Sequence, residues 1–190
     1  MSNLEKEVKV VLNKREYCKI NDLLTWEKQY LQTNYYYGAE NCLINGDIPT
    51  IRIRKKNQEL FLQVKITIAK EGALHIKKEY EKQIEKVKAF ISKEELMELT
   101  GENFENDVKM IGELETYRKV CRSSENIEVC LDRNRYLDIE DYELELEYSG
   151  DYPSNVIDLL KKNGIGFEKV AQGKFSRFMQ KHKTNMKHVN

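Results

Sequence analysis

The 190-residue chain balances 32 Lys and Arg against 32 Asp and Glu, a formal net charge of zero that supplies no basic field for duplex nucleic acid. Charged residues still make up 34% of it, above the roughly one quarter usual for a soluble domain, an excess that fits an ionised interior or a well-solvated surface. No apolar run is long enough to span a membrane, and four cysteines without a CxxC pair read as reduced thiols, so a cytoplasmic protein is expected.

The first predicted strand runs from Leu4 to Leu12, so near the start that no signal peptide is expected before it. A period of two puts Glu5, Glu7 and Lys9 on one face and Leu4, Val8, Val10 and Leu12 on the other. Asn13 can cap a helix from about Lys14 to Tyr30, with Tyr17, Ile20, Leu23 and Leu24 on its buried stripe. Trp26 then packs on the core or serves as an aromatic platform for an organic substrate group. Leu31 to Tyr37 is a tyrosine-rich strand leading to Gly38.

Arg52 and Arg54 alternate with Ile51 and Ile53, and after the turn Lys55 to Glu59 a second strand follows. There Leu60, Leu62, Val64, Ile66 and Ile68 form the apolar face, with Phe61, Gln63, Lys65 and Thr67 opposite. The pair reads as a hairpin presenting three cations on one face. His75, Lys77, Glu79 and Glu81 share parity in a less regular strand. Residues 82–101 are predicted helical, with Ser92 and Glu95 as a capping box and Gly101 as terminator.

From Gly112 to Val120 alternation leaves a choice: Arg118 falls with Leu114, Thr116 and Val120, whereas Lys119 falls with Glu113 and Glu115. Ile127, Val129 and Leu131 alternate with Glu128, Cys130 and Asp132, and Arg133 to Tyr136 is predicted as a turn. In the strand that follows, Asp141, Glu143, Glu145 and Glu147 alternate with Tyr142, Leu144, Leu146 and Tyr148. Pro153 opens an amphipathic helix ending near Gly164, a short segment carries Lys174 and Arg177, and residues 181–190 read as a frayed basic tail. No repeat or proline-rich linker divides the chain, so one domain over 1–180 is predicted.

Four strands with the same segregation describe a sheet with one heavily ionised face. Glutamates crowded within several ångströms repel one another unless cations lie among them, and hard oxygen ligands suit Mg2+ or Mn2+. Arginines and lysines on neighbouring strands would take up phosphate charge. The predicted class is α+β: a closed or nearly closed antiparallel β-barrel with an ionised interior, helices packed outside, and a phosphate-handling site within.

Glu5-x-Glu7-x-Lys9 resembles the signature that opens the CYTH superfamily, the triphosphate tunnel metalloenzymes. The similarity continues in order through Asn34 to Tyr37, Arg52-x-Arg54, Lys65, Arg118, Asp132 and Glu143-x-Glu145-x-Glu147, across roughly residues 4–180. Relatives usually have aspartate where Gly38 stands. The resemblance selects Arg118 over Lys119, and it makes Glu145 and Glu147 the paired metal-binding glutamates with Glu143 able to replace either. It implies that Glu5, Glu7, Glu145 and Glu147, supported by Asp132, hold one or two ions. Lys9, Arg52, Arg54, Lys65, Arg118, Lys174 and Arg177 would bind the phosphates, and the catalytic set would be Glu5, Glu7, Lys9, Arg52, Arg54 and Lys65. The implied activity is metal-dependent hydrolysis of inorganic triphosphate or a small organic triphosphate such as thiamine triphosphate. A class IV-type adenylate cyclase and a non-catalytic polyphosphate-binding module are the alternatives.

Overall fold

Apolar and polar residues alternate with period two through most of this chain, and most of it forms strands. The computed structural model describes residues 6–39, 42–71, 74–167 and 172–187. Among them are nine strands and four helices: β1 (Lys6–Leu12), α1 (Lys14–Leu23), β2 (Lys28–Gly38), β3 (Thr50–Lys56), β4 (Glu59–Glu71), β5 (Leu74–Ile84), β6 (Phe90–Ile91), α2 (Lys93–Thr100), β7 (Val108–Ser124), β8 (Ile127–Tyr136), β9 (Ile139–Tyr148), α3 (Ser154–Lys162) and α4 (Lys174–Lys187). The strand order is β1-β9-β8-β7-β2-β3-β4-β5, with β6 paired to β7. The mostly antiparallel sheet and its helices give the α+β class read from the sequence. The chain divides into two compact units, one of residues 32–114 and one of residues 6–31 with 115–187.

In the second unit β9 lies between β1 and β8, and β8 pairs with β7. Val10, Leu12, Val129, Leu131, Leu144 and Leu146 are buried on one face, and Ile20 of α1 and Ile157 and Leu160 of α3 join the same core. Asn13 caps α1 as predicted and completes a capping box with Glu16. The helix stops at Leu23, well short of Tyr30, because Leu24 turns to extended backbone and β2 begins at Lys28. Leu23, expected on the buried stripe, is exposed. Trp26 packs against the core and its indole N–H donates to the Asn21 carbonyl at 3.0 Å, which favours the packing role. Pro153 occupies the cap position one residue before α3. α4 continues to Lys187, past the point where a frayed tail was expected, and its Phe178 is fully buried beside Tyr136.

In the first unit β3 pairs with β2 and β4, and β4 with β5. Asn57 and Gln58, both at positive φ, close the β3–β4 hairpin in the doubly left-handed turn that matches strand twist. Tyr37, Ile51, Ile53, Leu62, Val64 and Ile66 form the core face with Ile91, Leu96 and Phe104. Ile68, read as the end of that face, is half exposed where a bulge between Thr67 and Ala69 breaks the alternation. The predicted helix over 82–101 shrinks to α2, capped by Ser92 and ended by Gly101 at φ 75°. β5 runs to Ile84 because pairing with β4 overrides the helix preference of its Lys, Glu and Gln residues.

Candidate functional site

The polar face of the second unit is a ladder of ionised side chains fixed by strand register. Glu7, Glu147 and Glu128 lie opposite one another across β1, β9 and β8, and Lys9, Glu145 and Cys130 make the next row. Val11, Glu143, Asp132 and Arg118 make the third, ending on β7. Arg118 is buried and forks onto Asp132, with Nε to Oδ1 at 2.8 Å and Nη2 to Oδ2 at 2.7 Å. It also pairs with Glu145, and its Nη1 lies 3.3 Å from Glu147. From α4, Lys174 Nζ reaches Asp132 at 2.9 Å, Glu143 at 3.1 Å and Glu145 at 2.7 Å, while Arg177 binds Asp141 at 2.9 Å and Glu143 at 2.5 Å. Lys9 pairs with Glu7 at 2.5 Å.

This crowding sets the protonation states. Burial alone would lower the pKa of Arg118 and Lys174, but Asp132 and Glu145 raise both well above their ordinary values, with Glu143 adding to the rise at Lys174. Burial likewise opposes charge on Lys9, and Glu7, Glu145 and Glu143 outweigh it. Glu145 is driven far below the usual carboxylate range, its burial overcome by Lys174 and Arg118. Glu143 goes the other way, to about 7, because burial and the neighbouring Glu145 outweigh Lys174 and Arg177. The two carboxyls titrate as a pair with one proton held on the Glu143 side.

Among the described residues seven carboxylates and five cations share this face, Arg122 near Glu128 being the fifth cation. The spare negative charge gathers at the end holding Glu7, Glu147 and Glu128, where both Glu7 and Glu147 are partly open to solvent. Ligand atoms of Glu128, Cys130 and Glu147 all lie within 4.8 Å of one another. Burial pushes the Cys130 thiol up, so it stays protonated and the effective donors are carboxylate oxygens. Such a set fits a hard divalent ion such as Mg2+ or Mn2+.

The first unit carries a cationic face. Tyr36, Arg52, Gln63 and Glu81 form one row across β2, β3, β4 and β5, with Asn34, Arg54 and Phe61 in the next and Thr50, Lys65 and Glu79 on the other side. Arg52 Nε donates to Gln63 Oε1 at 2.7 Å, and Gln63 passes its own N–H to Glu81. Arg54 Nε donates to Asn34 Oδ1 at 3.0 Å, and Lys65 pairs with Glu79. Among the described residues five cations on this face, Lys56 and Lys77 included, stand against three carboxylates, Glu59, Glu79 and Glu81.

Of the residues singled out in the sequence, Glu7, Lys9, Arg118, Asp132, Glu143, Glu145, Glu147, Lys174 and Arg177 come together in the second unit. Arg52, Arg54 and Lys65 come together in the first. Glu5 lies outside the described residues. Lys119 takes the opposite face to Arg118 and donates to Asn21 Oδ1, so Arg118 and not Lys119 lies on the ionised face. The reading missed Asn34, Gln63, Cys130 and Asp141 as partners, although Asp141 shares the parity of Glu143 and Asn34 lies opposite Arg54. Asp141 accepts from Tyr136 at 2.7 Å, Asn134 at 2.9 Å and Arg177, and so seats that arginine.

Comparison with solved structures finds the same fold in a protein from Bacillus halodurans proposed to be an adenylate cyclase, 23% identical over 93% of this chain and 98% of that one, with a TM-score of 0.66. A Hippeastrum protein, proposed as an adenylyl cyclase and described as having a dominant triphosphatase activity, is 21% identical over 93% and 95%, with a TM-score of 0.64. The triphosphatase of the Mimivirus capping enzyme is 16% identical over 85% and 87%, with a TM-score of 0.50. No curated protein matches the chain. The family model for the CYTH domain matches residues 3–162, and the chain therefore belongs to the CYTH family.

Proposed function

We propose that this protein is a divalent-metal-dependent hydrolase of inorganic triphosphate or of a small organic triphosphate. The observation that carries the reading is the buried Glu145, held ionised between Arg118 and Lys174 on a face where carboxylates outnumber cations. Glu7, Glu145 and Glu147, with Glu143 and Asp132 beside them and Glu5 from the family signature, are the residues that would hold Mg2+ or Mn2+. Such an ion, when bound, neutralises phosphate charge and lowers the pKa of water.

Phosphoryl transfer needs alignment and charge stabilisation more than a protein nucleophile. Lys9, Arg118, Lys174 and Arg177 supply cations whose carboxylate partners keep them charged and aimed. Arg52, Arg54 and Lys65 supply a second cationic set, each held by a named partner: Gln63, Asn34 and Glu79. These groups bind and orient phosphoryl oxygens and offset the charge that develops on them. The dominant triphosphatase activity described for the Hippeastrum neighbour supports hydrolysis over cyclisation.

The test is phosphate release from tripolyphosphate, thiamine triphosphate and ATP, each with Mg2+ or Mn2+ and with chelator, with ATP also assayed for cyclic AMP. Release that disappears with chelator is the expected result and identifies the substrate class. Cyclic AMP with pyrophosphate would replace the proposal with a cyclase, and tight binding without turnover would replace it with a binding module.

A further inference from the structure

Asn34 sits at the middle of β2 with no exposed surface, opposite Arg54 in register and flanked by the row that holds Arg52. Its Oδ1 accepts from Arg54 Nε at 3.0 Å. That bond fixes the carboxamide, since turning it over would point the NH2 group at a guanidinium that can only donate. Nδ2 is then a buried donor with no acceptor among the described residues. A buried polar group is almost always satisfied, so an orphaned donor calls for a partner that arrives with a ligand. The surroundings define that partner: beside Arg52 and Arg54 the acceptor that fits is an anionic oxygen.

We infer that Asn34 is a substrate-positioning residue whose Nδ2 donates to a phosphoryl oxygen of the triphosphate, with Arg54 holding the carboxamide in the donating orientation. The inference rests on the reading that this face takes triphosphate, and it adds a neutral, directional donor to the point charges. A lysine or arginine attracts any anion from any direction, whereas a carboxamide clamped at its oxygen rewards an oxygen at one place only. Its contribution is therefore registration of the chain of phosphates.

Two substitutions remove the donor in complementary ways. Asn34→Asp keeps an acceptor for Arg54, and Asn34→Leu keeps the site neutral. Calorimetric titration with tripolyphosphate in chelator is expected to show at least a tenfold loss of affinity in both. Without ligand, Asn34→Asp is expected to melt no lower than the wild type, an outcome that a purely structural asparagine would not give. In the wild type, the Asn34 side-chain NH2 resonance, assigned by its disappearance in Asn34→Asp, is expected to move as tripolyphosphate is added. Either variant binding within twofold of wild type, or an unmoved NH2 resonance in a protein that binds, overturns the inference alone. If the wild type and Arg54→Ala bind tripolyphosphate equally, or neither binds, the phosphate reading of this face fails and the Asn34 assignment falls with it.

Discussion

Arg118 shows how much of the acidic face depends on one residue. Its guanidinium satisfies both oxygens of Asp132, which has no exposed surface, and also pairs with Glu145. Arg118→Met would leave those carboxylates buried with Lys174 as their remaining strong partner. Breaking a buried pair from one side costs about 3–5 kcal/mol, because the abandoned charge stays desolvated. Urea denaturation should show a loss of that order, and adding Asp132→Asn to the variant should recover part of it. A loss below about 1 kcal/mol would mean that Asp132 finds water or protonates at little cost, as an exposed pair would.

At the scale of elements, α4 matters because it delivers two cations that no strand carries. Lys174 and Arg177 stand on one side of the helix, and one turn on Phe178 is buried beside Tyr136 and stacked near His182. Phe178→Ala should cost about 3–5 kcal/mol through the cavity it leaves. It should also raise hydrogen exchange in α4 and raise the KM for triphosphate more than it lowers kcat. A variant with wild-type KM and a loosened α4 would show that Lys174 and Arg177 serve packing alone. Neither contact could be read from the sequence, since Lys174 meets Glu143 across 31 positions and parity says nothing about where a helix docks. The strands were legible where apolar and charged residues alternate cleanly, as from Glu7 to Val10 in β1 and from Asp141 to Tyr148 in β9. β7 was not, because Glu113, Glu115 and Lys119 alternate with Arg118 and put charge on both faces. The end of β5 misled for a related reason: the strand was read as far as Glu81, but Lys82 to Ile84 suit a helix by composition and only pairing with β4 makes them strand. Arg133 to Tyr136, predicted as a turn, instead ends β8: it stays paired with β9 as far as Tyr136 opposite Ile139, and the turn falls at Leu137 and Asp138, both at positive φ.

For the molecule as a whole, zero net charge conceals an acidic surplus on one unit's polar face and a basic surplus on the other's, so pH acts through individual groups rather than through overall charge. Glu143 is a carboxyl moved toward neutrality by its surroundings. Lys174 and Arg177 face it from α4, Asp132 from β8 and Glu145 from its own strand, yet its pKa rises from 4.5 to about 7. A carboxyl whose folded pKa is raised favours the folded state while protonated, so its contribution is complete below about 4.5 and is lost as pH climbs through about 7. The shift corresponds to at most about 3 kcal/mol. Glu145, with its pKa depressed, works in the opposite sense and in another window: its contribution is present above the unfolded value of 4.5 and is lost as pH falls below it. In chelator, thermal melts should therefore show the wild type losing stability relative to Glu143→Gln between about pH 5 and 8, since glutamine keeps the neutral state at every pH. Below pH 4.5 both proteins should weaken together through Glu145. Parallel melting curves across the neutral range would mean that Glu143 is ionised throughout, with Lys174 and Arg177 dominating its burial.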